Sequence, residues 1–163
     1  MKSDPLRRPD SGCGFTVYKE GKMPQIKHIA IATNDAEKTA KFYSEVFGLR
    51  QVAELKSDNA NGYMLSDGSV NMAILDFQND AVAGERGKDW EGIHHIGFEV
   101  ESLEDIERRL SEANSKPMDE VNHALHAGMS GPRTQNVETK YEGPNGEMID
   151  VSETGWIGTR GLD

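Results

Sequence analysis

The chain has 163 residues, and 28 acidic against 18 basic side chains leave a net charge of −10 at neutral pH. Hydrophobic types make up 36%, and 17 glycines come on top of them. That composition suits one folded domain and argues against wholesale disorder. The acidic surplus makes nucleic acid a poor partner, because binding it means neutralising phosphates with Lys and Arg. No apolar run approaches the ~18 residues that span a bilayer, so no membrane partner is expected. Met1–Arg8 leads into no apolar segment, so no secretory signal is expected. The single Cys13 fits a reducing compartment, and a cytoplasmic protein is expected.

Residues 1–24 hold Pro5, Pro9, Pro24, Gly12, Gly14 and Gly21 with no apolar period. They read as an N-terminal extension: disordered, a partner-contacting arm, or residues foreign to the domain. A strand follows at His28–Thr33. Asn34 is the candidate helix cap, with Glu37 three residues on as in a capping box. Ala36, Ala40, Tyr43 and Phe47 then recur at helical spacing, and Gly48 stops the helix in a left-handed conformation. The period switches to strand over Arg50–Lys56, Gly62–Leu65 and Val70–Phe77, with Asp67-Gly68 as a turn.

After a linker at 78–92, the pattern repeats. His95–Val100 resembles His28–Thr33 and lies 67 residues further on. Ser102 and Asp105 form the second helix-start signal, and Leu103, Ile106, Leu110 and Ala113 form the apolar face. Glu104/Arg108 and Asp105/Arg109 are i,i+4 pairs worth tenths of a kcal/mol each. Pro117 lies just beyond. A weak strand near 117–121 and better ones at Val137–Tyr141 and Glu147–Val151 complete the half, the last two joined through Pro144-Asn145-Gly146. Residues 122–136 read as a long loop with Gly128, Gly131 and Pro132, long enough to suggest a functional lid. Each half is thus β-α-β-β-β: module one at 25–77, module two at 93–156, and a tail at 157–163.

This tandem repeat resembles the vicinal oxygen chelate superfamily, which includes glyoxalase I, methylmalonyl-CoA epimerase, extradiol dioxygenases and bleomycin-resistance proteins. The resemblance rests on Lys27-His28-Ile29-Ala30-Ile31, on Ala40-Lys41-Phe42-Tyr43 with Val46-Phe47-Gly48-Leu49, on Gly92-Ile93-His94-His95-Ile96-Gly97-Phe98, and on Gly143-Pro144-Asn145-Gly146-Glu147-Met148-Ile149-Asp150. It implies an α+β fold in which two βαβββ modules form a curved mixed sheet around one metal site. It places His28 and His95 at the first-strand ligand positions and Asp150 at the second module's carboxylate position, where Glu is usual. In module one the candidate positions are Asn71, Met72 and Ala73, with one alignment giving Met72 and the matching of apolar faces giving Ala73, and none is a carboxylate. Asp76 is a conceivable replacement.

Two imidazoles and one carboxylate with open positions form a facial triad suited to Fe(II), and equally able to take Mn, Zn, Ni or Co. The expected activity is dioxygenase-like, on a small substrate chelated through neighbouring oxygens. The alternatives are a glyoxalase-like lyase or epimerase, and a drug-binding protein without turnover. Asn71 and Tyr63 are candidates for substrate contact. His123, His126 and Tyr141 are candidates for acid/base work over the metal. By strand alternation His94 is expected to face away from His95, and Glu153 away from Asp150. Met118 and Met129 are expected to fill apolar space, and Trp90 and Trp156 to cover apolar edges. The resemblance also implies a homodimer.

Overall fold

The computed structural model describes residues 21–127 and 137–162. Most of the expected extension, together with Met129 and the glycines and proline of the expected lid, lies outside the described residues. In chain order the elements are β1 (Gln25–Ala32), α1 (Ala36–Phe47), β2 (Arg50–Lys56), β3 (Ala60–Ser66), β4 (Asn71–Phe77) and α2 (Asp80–Ala83). A 3-10 turn at Gly84–Arg86 leads to β5 (Gly92–Glu99), α3 (Leu103–Glu112), α4 (Asp119–His126), β6 (Thr139–Glu142) and β7 (Met148–Ser152). The strands form one mixed sheet in the order β2-β3-β4-β1-β5-β7-β6.

The first strands of the two modules lie side by side at the centre, β1 antiparallel to β5. Each then pairs in parallel with the last strand of its own module, β1 with β4 and β5 with β7. The sheet therefore has an approximate twofold relation, and both first-strand histidines fall near its axis.

Alternation along the strands separates two faces. His28, Ala30 and Ala32 of β1 are buried, as are Asn71, Ala73, Leu75 and Phe77 of β4. With Val82 and Ala83 of α2, the alanines, Leu75 and Phe77 form the inner apolar cluster. On the other face α1 lays Ala40 and Tyr43 against Leu65, Ile74 and Tyr63. Fully burying Leu65 or Ile74 contributes about 2–3 kcal/mol each.

Local signals explain the helix ends. Gly48 caps α1 at φ 75° and donates to Ser44 O. Ser102 Oγ accepts from the Asp105 amide at 3.2 Å, as the sequence predicts. The N-cap of α1 is one residue later than expected: Asp35, not Asn34, accepts from the Lys38 amide at 3.0 Å. Asn34 instead donates to Asp89 O across the module boundary. Both side chains can cap, and the Thr33 hydroxyl, which accepts from the Asp35 amide, selects the second.

Module two departs from the predicted pattern. The weak strand near 117–121 reduces to a single bridge between Pro117 and Tyr141, and residues 119–126 of the expected strand and lid form α4. Val121 and Leu125, spaced four apart, turn inward from that helix. No helix among the described residues is long and apolar enough to cross a membrane.

Gly62 shows how tightly β3 and β4 approach. A Cβ there would lie 1.9 Å from the Ile74 carbonyl oxygen. Gly62→Ala is expected to cost about 2 kcal/mol or more through this backbone clash, seen as a lower urea midpoint in equilibrium unfolding.

Candidate metal centre

His28, His95 and Asp150 converge on the concave side of the sheet, with one ligand atom from each within 4.8 Å of the others. All three are buried. The register explains the convergence. His28 is paired with Asn71 on one side and Gly97 on the other, and Gly97 in turn is paired with Asp150. Gly97 has no side chain, and the space is needed. A Cβ there would stand 2.8 Å from both His28 Cβ and the Trp156 ring.

The hydrogen bonds behind each imidazole decide which nitrogen faces the centre. Asn71 Nδ2 donates to Ile157 O at 3.0 Å, so its Oδ1 is the acceptor toward His28 Nδ1 at 2.8 Å. His28 Nδ1 therefore carries the proton, and Nε2 presents a lone pair. On the other side Ala83 O, an obligate acceptor, takes the His94 Nε2 proton at 2.9 Å. His94 Nδ1 is then the acceptor for His95 Nδ1–H at 2.8 Å. His95 Nε2 also presents a lone pair.

Burial lowers the pKa of His28, and it lowers that of His95 well below the ordinary value, with the Lys140 charge adding to the effect. His94 is lowered by burial as well. All three rings are neutral at pH 7. The two Nε2 atoms face each other at 3.2 Å, and His95 Nε2 is 3.2 Å from Asp150 Oδ2. No proton lies in either contact. Two lone pairs and a carboxylate aimed at one another form a donor set that fits a divalent cation, with the back-side bonds that orient such ligands already in place.

His94 contradicts the alternation rule. Ala30 pairs with His95 but Ile31 pairs with Ile93, so His94 is the extra residue of a β-bulge. The bulge turns His94 to the same side as His95, where it packs at 4.7 Å from Phe77.

The module-one register also becomes definite. Ala30 pairs with Ala73 as Gly97 pairs with Asp150, two residues beyond each histidine. Ala73 therefore occupies the position equivalent to Asp150, and module one contributes no carboxylate there. Asp76 alternates away from Leu75 and Phe77 and lies in an outer groove with Tyr63.

The other sequence candidates fall elsewhere. Asn71 stands behind His28, fully buried, and holds the imidazole instead of facing the cavity. Tyr63 belongs to the α1 side of the sheet, while its neighbour Met64 lines the cavity. Tyr141 faces α3, where its hydroxyl donates to Glu107 at 3.1 Å. Burial and that carboxylate push its pKa up to about 12. His123 and His126 are exposed on α4, and His126 Nε2 donates to Glu138 O. Leu125 between them is the residue that faces the cavity. Glu153 accepts from the Leu103 amide, at the start of α3.

Three residues not picked out as site residues border the centre. Lys140 Nζ lies 2.7 and 2.8 Å from the two Asp150 oxygens and 3.3 Å from Glu138 Oε1. Burial opposes its charge, but the two carboxylates outweigh that and raise its pKa. Glu138 Oε2 accepts from Trp156 Nε1 at 2.8 Å, and Trp156 stacks on His28 at 4.9 Å and 7°. No local sequence signal marks the lysine; it is the β6–β7 register that sets Lys140 opposite Asp150. In front of the centre is a cavity of about 280 Å³, walled by Leu55, Met64, Leu75, Phe77, Val82 and Leu125.

The glyoxalase/bleomycin resistance protein/dioxygenase superfamily model matches residues 25–151. The chain belongs to this superfamily. Among solved structures, a Streptomyces coelicolor methylmalonyl-CoA epimerase in complex with 2-nitronate-propionyl-CoA has 18% identity and a TM-score of 0.60, covering 83% of this chain and 99% of its own. A methylmalonyl-CoA epimerase in complex with methylmalonyl-CoA and NH4+ has 19% identity and a TM-score of 0.59, covering 86% and 100%. A hypothetical protein from Bacillus halodurans has 18% identity and a TM-score of 0.59, covering 80% and 94%. At these identities the likeness is one of fold. No curated protein matches significantly.

Within this superfamily member, the His94 bond sets the tautomer of His95. His94→Phe keeps ring packing against Phe77 but removes the acceptor. It is expected to lower Co(II) affinity about 10–100-fold, measured by titration of metal-stripped protein, with the fold preserved by circular dichroism.

Proposed function

We propose that the protein is a metal-dependent enzyme acting on a small substrate that chelates a divalent ion through two neighbouring oxygens, with dioxygenation as its reaction class. The observation that carries this reading is the pair of inward-facing Nε2 lone pairs beside Asp150, with Ala73 where a fourth protein ligand would stand. His28, His95 and Asp150 would hold the ion on one side and leave the cavity side open. A metal bound there would supply Lewis acidity to the substrate oxygens and, as Fe(II), the redox chemistry of O₂ activation.

The chain's own residues do the rest. Burial keeps both imidazoles neutral, and Asn71 and His94, accepting from Nδ1–H, fix the tautomer that turns each Nε2 lone pair to the centre. Leu75, Phe77, Val82 and Leu125 exclude water and receive the apolar body of the substrate. Trp156 holds the plane of His28 and, through Nε1, one oxygen of Glu138. The cavity suits a compact substrate; at about 280 Å³ it is near the lower end of small-ligand sites.

One observation favours a second reading. Glu138 lines the cavity and is a carboxylate within reach of a chelated substrate, as proton shuttling in an epimerase or lyase requires. The epimerase neighbours share the fold. Yet Glu138 is engaged by Lys140 and Trp156, and module one offers no carboxylate at Ala73. Dioxygenation therefore stands first.

Protein isolated without chelator is expected to carry about one divalent metal per chain by elemental analysis. His28→Ala, His95→Ala and Asp150→Ala should each remove most of it while remaining folded. Full occupancy in the two histidine variants would overturn the ligand assignment. With Fe(II) loaded anaerobically, O₂ uptake on adding catechol-type compounds distinguishes dioxygenation from proton exchange, which would instead appear as deuterium incorporation without O₂ use.

A further inference from the structure

Lys140 carries the only positive charge among the described residues that line the cavity. It is itself buried, on β6 beside the buried Asp150 of β7. Its ammonium touches both Asp150 oxygens, at 2.7 and 2.8 Å. The carboxylate that would serve the metal is thus already neutralised by a cation belonging to the chain.

A divalent ion held by His28 and His95 would take an Asp150 oxygen at about 2.0–2.2 Å. An ammonium still 2.8 Å from that oxygen would then lie within about 5 Å of the ion. A monocation and a dication at that separation, shielded from water, repel strongly. Both cannot keep the same carboxylate in the present geometry.

The structure also provides the other berth. Glu138 precedes β6 by one residue, and its Oε1 is 3.3 Å from Lys140 Nζ. Its second oxygen is anchored by Trp156. A lysine, a compact charge on a flexible four-carbon stem, can change partners by rotamer shifts without moving its strand.

We infer that Lys140 is a tethered competitor for the metal: its ammonium closes on Asp150 when the ion is away and transfers to Glu138 when the ion binds. Metal affinity is then set by an exchange of two cations over one carboxylate, and Glu138 is the residue that makes the exchange affordable. The buried acid stays neutralised in both states. This inference rests on the metal-site reading above and concerns how that site is loaded.

The test uses full-length, metal-stripped protein titrated with Co(II), followed by visible absorption and by thermal unfolding. Lys140→Met should bind Co(II) about tenfold tighter than the unaltered chain. Glu138→Gln, which removes the berth, should bind it several-fold more weakly. In the Lys140→Met background the Glu138→Gln change should have little further effect, a non-additivity diagnostic of direct coupling. Without metal, Lys140→Met leaves Asp150 buried and unpaired, so its Tm should fall. Co(II) should then raise that Tm by more than it raises the Tm of the unaltered chain. Lys140→Gln serves if the methionine variant does not fold. Unchanged or weaker Co(II) affinity in folded Lys140→Met or Lys140→Gln would overturn the exchange. Absence of Co(II) binding in the unaltered chain and in both lysine variants would instead overturn the metal site itself. Binding that is equal with and without His28 would do the same.

Discussion

Two imidazoles turned lone pair to lone pair across 3.2 Å are the constraint on which the inner face of this protein depends. The arrangement is unfavourable by itself, because neither ring offers the other a proton. It persists because each ring is held from behind, His28 by an amide anchored on Ile157 and His95 by a histidine anchored on Ala83. The cost falls on the sheet and its connections. A bulge in β5 brings His94 round, and a glycine in the same strand admits Trp156 against His28.

Charge is balanced as closely as the lone pairs. A buried carboxylate without a partner would cost several kcal/mol. Asp150 has Lys140, and Lys140 has Glu138 as a second partner. The trio lies at the boundary between the apolar cavity and the hairpin of β6 and β7. The site can therefore be stable without an ion while both imidazoles still turn a lone pair toward the centre. In general a buried ion pair contributes less to net stability than its Coulomb attraction suggests. Its value here lies in giving the buried Asp150 side chain a partner inside an apolar cup.

The two modules differ in detail around a shared frame. The frame pairs β1 with β4 and β5 with β7 in the same parallel register, so that Ala73 and Asp150 are equivalents. One half contributes a histidine and an alanine, and the other a histidine and an aspartate. The alanine offers no ligand atom and lines the cavity. Module two also gains α4, which supplies Leu125 to the cavity wall over the site.

Much of this was legible in the chain itself. The repeated strand–helix pattern, the Ser102 and Gly48 helix signals and the turn residues depend on contacts only a few positions apart, so local sequence determines them. The two histidines were visible because a repeat places equivalent residues at equivalent points, whereas Asp150, which has no acidic counterpart in module one, was picked out by the family resemblance. The dispositions of His94, Asn71 and Lys140 were not visible. A single bulge reverses the facing of His94, and no local pattern announces where a bulge falls. Asn71 looks like a cavity residue until the parallel pairing of β1 with β4 puts it beside His28. Lys140 looks like a solvated strand residue until the β6–β7 register sets it against Asp150. Local propensity specified the elements, but only the pairing of distant strands decided which side chains share the buried space, and that sharing makes the site.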